Sequence, residues 1–559
     1  MRLHRTSILI AAAMLALHGG AAPAATLTVD SLGDDVTPGD GHVTLREAIL
    51  AANADAATDS GQSGNGADVI DLGALSGTIE LQAALPPIAS DITIRGAGRS
   101  ALAIVGAEHG DASDDGIFFV GPNGALALVD LTLRGGVSRG GNGGAVARDG
   151  AGGGAAGLGG AVLVDAGTFS AQRVDFVDNQ AIGGSGGATA GPFGAYGAGG
   201  GGGFGQDAAV SPQDDFGSDG GGGGAFGTPG GSGGTYGNDG YAGNGSDGAG
   251  GGGGGTGIAT RGGSGGFAAG GGGAGFANCG AGPAGAGGFG GGGGGGNVCD
   301  IGGFVLAQGA AGGAFGGAGG DGLPGPDGGG GGGGAGLGGA LFVRSGASAV
   351  LINCRFIGNA AHRGLGGGAG NYNNVAGNPG SNGQGKGGGI FAMAGASISG
   401  SGVLFSGNTA DDTIDGANDT GDVYGDVGLT QGEALGFTQG GAFADSRQSA
   451  SVTVVVRVQT SDDFPTASDA SVDYATADGS ALAGVDYVAT SGTLTVPAGT
   501  VRGTQFVLDV PLLAPSTAAP PRTFSLQLAN FNGAYSDTIT TFGVLLDASD
   551  TIFRGGFGG

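Results

Sequence analysis

Aspartate residues are the side chains of this sequence best suited to chemistry. Asp175 and Asp178 lie three residues apart and could share one face, as the paired carboxylates of a polysaccharide hydrolase must. A lyase would instead need a lysine or arginine base beside acidic metal ligands, and the chain has only 19 basic residues. Asp178 also aligns with Gly358 and Gly407 of two similar segments, which favours a turn residue. We therefore expect no enzymatic activity, with a β-helical lyase or hydrolase as the alternative.

The cysteines and one short motif offer little for metal binding. Cys279 and Cys299 lie in a glycine-rich tract and could close a loop through a disulfide, whereas Cys354 has apolar neighbours and is expected to be a buried thiol. Zinc would need more ligands at closer spacing. The stretch GNGSDGAGG, residues 243–251, matches a calcium-binding nonapeptide repeat at only three positions and is not followed by a second copy. We expect no ion there.

The N-terminus predicts export. Arg2 and Arg5 precede an apolar run, residues 8–17, and the small residues 22–24 offer a cleavage site, so residues 1–24 are predicted to be a signal peptide. No later segment is long and apolar enough for a transmembrane helix. The formal net charge of −28 disfavours nucleic acid as a partner. A secreted, extracellular or outer-surface location is expected.

Three segments of about 24 residues repeat one another and end in the pattern F-x-[GD]-N-x-A. They are residues 159–181, 338–361 and 387–410. Each contains short apolar strands broken by glycine or small polar residues, which predicts one coil of a right-handed parallel β-helix per repeat. Asn179, Asn359 and Asn408 would then occupy equivalent corners, where their amides can bond to turn backbone.

One short stretch, VTLREAILAAN at residues 43–53, predicts a helix instead. Thr44 and Glu47 have the spacing of a capping box, and apolar residues then recur at helical intervals. The first coil of a solenoid exposes its core and unpaired strand edges. We expect this helix to cover that end.

The same stretch carries a family resemblance. Together with ADVIDL at 67–72, LPPI at 85–88 and ITIRGAG at 92–98, it resembles the CSLREA domain of exported bacterial β-helical proteins over residues 26–106. Val43 and Thr44 stand where that family commonly has Cys-Ser, so no disulfide can secure this cap. The resemblance implies export and a β-helical architecture, and it implies no chemistry.

Glycine supplies 146 of the 559 residues, and about half of the tract 185–336. Such a tract buries too little apolar surface to fold as an ordinary domain, so we expect it to be dispensable for folding. The alternative is that it packs as bundled extended glycine helices. The tract, like a shorter insertion at 363–386, follows the end of a repeat, which predicts that both decorate one edge and form a contact surface.

The composition changes near residue 440, where six alternating strands predict an antiparallel sandwich. The run VDYATADGSALAGVDYVATSGTLTVPAG, residues 472–499, resembles a Calx-β domain, and the resemblance covers residues 441–550. It implies calcium ligands at one end of the sandwich. Carried over by position, these are Asp445, Asp486, Asp547 and Asp550.

The sequence departs from the family at two acidic positions. Residues 514–516 are Ala-Pro-Ser where an acidic cluster is usual, and residues 520–522 are Pro-Pro-Arg where a glutamate is expected. Calcium needs several oxygen ligands, so the remaining carboxylates predict one weak site at most.

These patterns predict an all-β protein with a helical cap, a right-handed parallel β-helix, a large glycine-rich insertion and a C-terminal β-sandwich. The predicted segments are 1–24 (signal peptide), 25–106 (cap and first coils), 107–184 (β-helix), 185–336 (insertion), 337–430 (β-helix), 441–550 (sandwich) and 551–559 (tail). The expected function is that of an exported, adhesion-like structural or binding protein whose unknown extracellular partner could be a glycan or a cell surface.

Overall fold

A computed structural model provides the coordinates of the chain. It describes residues 25–107, 109–110, 114–147, 149–189, 197–209, 220–224, 228–234, 242–254, 261–275, 282–297, 308–322, 328–372, 375–414, 416, 418–431, 433–445, 449–459, 469–497, 500, 504–513, 519–532, 534–536 and 540–548. The predicted signal peptide, the tail, Cys279 and Cys299 lie outside these residues. Among them, no helix is long and apolar enough to cross a membrane.

The described structure is almost entirely β, with one helix, α1 (Leu45–Ala54). The strands of the first part of the chain are β1 (Thr26–Thr28), β2 (Asp68–Asp71), β3 (Gly77–Glu80), β4 (Asp91–Arg95), β5 (Leu102–Val105), β6 (Phe118–Val120), β7 (Ala125–Arg134), β8 (Val137–Arg139), β9 (Gly157–Leu158), β10 (Val162–Val164), β11 (Thr168–Val177) and β12 (Gln180–Ile182).

After the glycine tract follow β13 (Gly336–Leu337), β14 (Leu341–Val343), β15 (Ser348–Ile352), β16 (Arg355–Ile357), β17 (Ala360–His362), β18 (Asn371–Tyr372), β19 (Val375–Ala376), β20 (Gly385–Lys386), β21 (Ile390–Ala392), β22 (Ser397–Ser406), β23 (Thr409–Ala410) and β24 (Val423–Tyr424). The last ten are β25 (Gly428–Gln431), β26 (Glu433–Phe437), β27 (Gly441–Asp445), β28 (Ser451–Gln459), β29 (Ala470–Asp478), β30 (Ser491–Val496), β31 (Gln505–Pro511), β32 (Ala519–Asn532), β33 (Ala534–Ser536) and β34 (Thr541–Ala548).

The chain divides into two compact units. One contains most residues up to 427, and the other contains 428–559 together with the short segments 351–355 and 399–406. Each unit is described by itself.

Helix α1 begins with the predicted capping box. The Thr44 hydroxyl accepts from the Glu47 N–H at 3.2 Å, and the Glu47 carboxylate accepts from the Thr44 N–H at 3.0 Å. Both groups would otherwise be unpaired at a helix start. The apolar stripe, including Leu45 and Ile49, is fully buried, and the helix packs against β1 and β2. The predicted helical cap over the first strands is confirmed.

Two polar residues of the same stretch fix the helix to the loops around it. The Arg46 guanidinium forms a two-pronged ion pair with Asp34, at 2.9 and 2.8 Å, and also donates to the carbonyl of Ala84. Asn53 donates to the Pro87 carbonyl and accepts from the N–H of Ala89. The residues of this motif therefore have three roles: Leu45 and Ile49 are buried, Thr44 and Glu47 cap the helix, and Arg46 and Asn53 bond to the surrounding loops.

The repeats pair in parallel and in register. Sheets of three, four and five strands have the orders β20-β13-β9, β23-β17-β12-β8 and β24-β21-β14-β10-β6. Their named pairings are all parallel. Each repeat contributes one strand to the four-stranded and one to the five-stranded sheet, and the two residues just before each repeat form a strand of the three-stranded sheet. The predicted all-β class and the parallel pairing of the repeats are confirmed. The right-handed helical winding stays a prediction.

The repeated asparagines form a hydrogen-bonded ladder. The Asn179 amide donates to the Asn359 side chain at 2.9 Å, and the Asn359 amide donates to the Asn408 side chain at 2.8 Å. Asn359 and Asn408 also donate to the carbonyls of Phe176 and Phe356, one repeat back in each case. Because Asn179 and Asn359 are fully buried, each amide must find its partners inside the protein. The predicted structural role of these residues is confirmed.

The described residues of the glycine tract pack together with the preceding glycine-rich residues 141–157 in one hydrogen-bonded structure. In the segment 151–157, every third N–H bonds to the same neighbouring segment, so three neighbours surround it: 329–335, 141–144 and 268–271. The donor–acceptor pairs are 151–329, 154–332 and 157–335; 152–144 and 155–141; and 153–271 and 156–268. A three-residue period without internal hydrogen bonds is that of the polyproline II helix.

The segment 329–335 repeats the arrangement with three other neighbours, 290–296, 378–384 and 184–187. Extended helices with three residues per turn thus share hydrogen bonds with neighbours on all sides. We call this array the glycine bundle. The described residues of the tract are packed as the bundled alternative describes. The expectation that the tract is dispensable for folding stays a prediction, and this packing argues against it. Backbone hydrogen bonds and close approach replace the apolar side chains on which the expectation was based.

Glycine is required at many positions where two bundle segments touch. A Cβ on Gly153 would collide with the carbonyl of Gly292, and one on Gly332 would collide with the carbonyl of Gly317. These contacts are backbone to backbone, so no side chain can move away to make room.

This packing predicts a position-dependent cost of a single methyl group. Gly153→Ala should lower the free energy of unfolding by about 3 kcal/mol or more, because the backbone segments must separate. Gly368 is the matched control, since a Cβ there meets nothing within 4 Å, and Gly368→Ala should change stability by about 0.5 kcal/mol or less. Thermal and denaturant unfolding of both variants would measure the difference. Equal effects would contradict the bundle.

The second unit contains two sheets with the strand orders β31-β28-β26-β33 and β27-β34-β32-β29-β30. The six strands predicted for this region are present as β28, β29, β30, β31, β32 and β34. Both sheets contribute to one apolar core, with Val454 and Val510 from the first and Val472, Phe524 and Val544 from the second. Strand β26 precedes the predicted start at 441 and pairs with β28, so the two-sheet structure begins earlier than expected.

Candidate functional site

Three of the four predicted calcium ligands lie in the described part of the second unit. Asp445 is the last residue of β27, Asp547 is the last but one of the neighbouring parallel strand β34, and the two are direct register partners. Asp486 lies in the loop between β29 and β30. Asp550 lies outside the described residues. The pairing brings two of the predicted ligand positions side by side along the backbone.

Asp486 is buried and already has a cation as its partner. The two guanidinium nitrogens of Arg522 lie 2.9 Å from Asp486 Oδ1 and 3.1 Å from Oδ2. The N–H of Leu482 donates to the same Oδ2 at 2.9 Å. A two-pronged arginine–carboxylate pair is among the stronger ion pairs. Both oxygens of this predicted ligand are therefore engaged within the protein.

The residue after Asp486 anchors the same loop. The Tyr487 side chain is buried and stacks on Phe524 at 4.1 Å between ring centroids, and its hydroxyl donates to Asp478. Burial, followed by this hydrogen bond, raises the pKa of Tyr487 to about 12, and the bond lowers the pKa of Asp478. The Asp-Tyr pair in the sequence thus holds its loop through one ion pair and one ring stack.

Strand register places Arg522 close to the predicted site. Arg522 on β32 is the partner of Leu546 on β34, the residue before Asp547. A calcium ion using Asp486 would have to displace the guanidinium and leave Arg522 without its ion-pair partner. In the part of the chain that the structure describes, no three acidic, histidine or cysteine side chains are grouped as metal ligands. The described surroundings of Asp486 do not fit a tight calcium site.

Comparison with known proteins identifies the second unit. Residues 431–549 match the Calx-beta domain family. The match begins just before β26, in agreement with the earlier start seen in the fold. Calx-beta domains are a calcium-binding class of protein module, so the class makes calcium plausible while the geometry of Asp486 opposes it.

Solved structures of the same class are among the similar proteins. The apo form of the Calx CBD1 domain is 22% identical over 22% of this chain and 100% of its own, with a TM-score of 0.19. The calcium binding domain CBD12 of CALX1.1 is 23% identical over 20% of this chain and 44% of its own, with a TM-score of 0.18. The Calx CBD2 domain is 14% identical over 21% and 90%, with a TM-score of 0.19. Curated proteins give no match.

The carboxylates considered for catalysis have structural contacts. Asp175 is buried and pairs with Arg99 at 3.2 Å. Asp178 adopts a positive φ of 54°, and Gly358 and Gly407 adopt 66° and 67° at the equivalent positions. The turn interpretation of Asp178 is confirmed.

Sequence reasoning did not single out Asp115. Burial of this carboxyl, together with the adjacent Asp114 carboxylate, raises the pKa of Asp115 to about 6. Asp114 itself pairs with Arg139 at 3.3 Å, whereas Asp115 Oδ1 is buried without a hydrogen-bond partner. A raised carboxyl pKa favours the folded state below the ordinary pKa near 3.8, and this contribution is lost as the pH rises through about 6. Buried in this way, Oδ1 is not positioned to meet a polysaccharide.

The Arg522 contact predicts how calcium affinity responds to mutation. The full-length protein should bind calcium with a dissociation constant near 10⁻³ M (~1 mM), and Arg522→Gln should tighten binding about tenfold by freeing the Asp486 carboxylate. Calorimetry at neutral pH, with circular dichroism to verify folding, would measure both. Arg522→Lys keeps the positive charge and should remain weak.

Two results would contradict this account of the site. One is micromolar calcium binding by the unmodified protein. The other is an Arg522→Gln variant that folds normally but binds calcium no better than the Arg522→Lys control.

Proposed function

We propose that this protein is exported and acts at or beyond the cell surface as a non-enzymatic, adhesion-like structural and binding protein. In this proposal the parallel strands form a right-handed β-helix, the glycine bundle packs along it, and the C-terminal Calx-beta domain is a β-sandwich with at most one weak calcium site. The partner is a glycan or another component of a cell surface.

The packing of the glycine bundle is the observation that carries this proposal. Bundle segments such as 269–273 and 291–295 are hydrogen-bonded to neighbours along their length, so their ends are held at fixed positions. The sequences that connect successive glycine-rich segments contain aromatic, apolar and acidic residues. An example from an earlier part of the tract is VSPQDDFGSD at residues 210–219. A rigid backbone array whose connecting sequences vary suits recognition of a surface better than catalysis.

The electrostatics support an uncharged or cationic target. The formal net charge of −28 would repel anionic membranes and nucleic acid. Neutral glycans are bound through hydrogen bonds and apolar contacts, so this charge does not oppose them.

The proposal is tested by exchanging one bundle sequence. The mature protein should bind intact cells or a glycan array, and replacing residues 210–219 with a Gly-Ser sequence of equal length should reduce that binding at least tenfold while thermal stability is unchanged. The matched control replaces residues 460–468 in the Calx-beta domain and should bind normally. Fractionation of the producing cells would locate the mature chain and its N-terminus.

Two outcomes would overturn the proposal. Retention of the mature chain in the cytoplasm would exclude a surface role. Depolymerisation of a polysaccharide by the purified protein would replace the binding role with an enzymatic one.

A further inference from the structure

Five β-turns of the first unit lie at one end of the glycine bundle and share one geometry. In each, the N–H of the fourth residue bonds to the carbonyl of the first, and the third residue has a positive φ between 64° and 79°. They are residues 203–206, 246–249, 266–269, 288–291 and 313–316. A positive φ at the third position is the mark of a type II turn. Hydrogen bonds from Phe204 to Gly248 and from Gly248 to Phe267 place the second turn between the first and the third.

The turns and the adjacent strands each carry a column of aromatic rings. Phe267 stacks on Phe289 at 5.2 Å between centroids, and Phe289 meets Phe315 at 5.7 Å. On the strands, Phe342 stacks on Phe391 at 5.3 Å. Tyr424 continues the strand column at 4.8 Å from Phe391. The two columns also touch each other, since Phe315 lies 5.3 Å from Phe391.

Each column lacks a ring at one position, and these two positions are close to each other. The second turn has Asp247 where the first, third and fourth turns have Phe204, Phe267 and Phe289. On the strands, Leu163 is the register partner of Phe119 and of Phe342. An aspartate and a leucine thus replace rings where the two columns meet.

A cavity of about 80 Å³ lies at this position. Its lining includes Phe119, Leu163, Phe204, Phe267 and Asp247, which are the residues that flank the two replacements. Its walls are therefore mainly apolar and aromatic. An apolar cavity of about 150 Å³ can accept benzene. This cavity is smaller but open on one side, so a ring that enters it can extend toward solvent.

Charged groups mark one side of the cavity. The Arg344 guanidinium lies 3.8 Å from the centroid of Phe267 and is paired with Asp165 and, at 3.3 Å, with Asp247. The Asp247 side chain remains 75% exposed, so its carboxylate can accept a further hydrogen bond. A ring bearing a hydroxyl group would place its apolar edge between the phenylalanines and its hydroxyl at this carboxylate.

We infer that this cavity is a binding site for a single hydroxyl-bearing aromatic ring. The ligand lies between the two aromatic columns, and it is either a free phenol or the side chain of a tyrosine in a peptide. Contact with the edges of the flanking rings and burial of the ligand ring supply the affinity, and the hydroxyl donates to Asp247. The site does not depend on the function proposed above.

Titration of the full-length protein with p-cresol tests the site directly. Nuclear magnetic resonance or calorimetry should show one site with a dissociation constant of about 1 mM, a value typical of so small a ligand. Cyclohexanol, which has a hydroxyl but no aromatic ring, should bind at least tenfold more weakly. The tyrosine tripeptide Gly-Tyr-Gly should compete with p-cresol if the natural ligand is a peptide side chain and should not compete if it is a free phenol.

Two filling variants locate the binding. Leu163→Phe and Asp247→Phe each add the missing ring from one column, so both should abolish p-cresol binding and raise the melting temperature. Asp247→Asn adds no ring to the cavity and is the matched control. Its dissociation constant for p-cresol should be within a few-fold of that of the unmodified protein. If one filling variant fails to fold, the other still decides the question.

The inference is overturned if the unmodified protein shows no p-cresol binding at 10-fold above the expected dissociation constant (~10 mM). It is equally overturned if a correctly folded filling variant binds p-cresol as well as the unmodified protein does, because the ring would then bind elsewhere.

Discussion

The structure of the first unit depends on one requirement, that buried peptide groups in a tract without side chains must bond to one another. An unpaired buried N–H costs about 1–3 kcal/mol, and glycine loses more conformational freedom on folding than any other residue. A three-residue period meets the requirement because successive N–H groups point to different neighbours, as in residues 151–157. The glycine content follows from the packing, because carbonyls such as that of Gly292 occupy the space of a Cβ.

Aromatic rings connect this backbone array to the strands. The bundle has little apolar surface of its own, and its larger apolar groups in the described residues include Phe267 and Phe289 at the turns. These rings pack against Phe342 and Phe391, which lie in register on parallel strands. The asparagine ladder performs a related task at another corner of the repeats, where it bonds to strand carbonyls of the preceding repeat. Repeats in sequence therefore become columns of identical contacts.

Sequence reasoning succeeded where the physics is local or repeated. The capping box of Thr44 and Glu47 spans three residues, the strands of the C-terminal domain follow from alternation, and the asparagines recur in each repeat. It failed for the glycine bundle because the partner of Gly154, for example, is Gly332, and nothing in a run of glycines identifies one partner over another. It also could not establish the pairing of Asp486 with Arg522, because the register of β32 decides which charge reaches the loop.

The Arg522 contact shows how a module can keep its fold while its ion site changes. Arginine provides a fixed positive charge and two donors, so it can satisfy a buried carboxylate that calcium would otherwise neutralise. We therefore expect the two-sheet core to keep the Calx-beta domain folded without calcium.

The glycine bundle is the central claim, and amide hydrogen exchange of the intact protein tests it most directly. Amides of residues 151–157 and 329–335 should exchange at least about 100-fold more slowly than those of an unstructured glycine-rich peptide, because their hydrogen bonds must open together. Exchange of these amides within seconds, at the unstructured rate, would contradict the bundle.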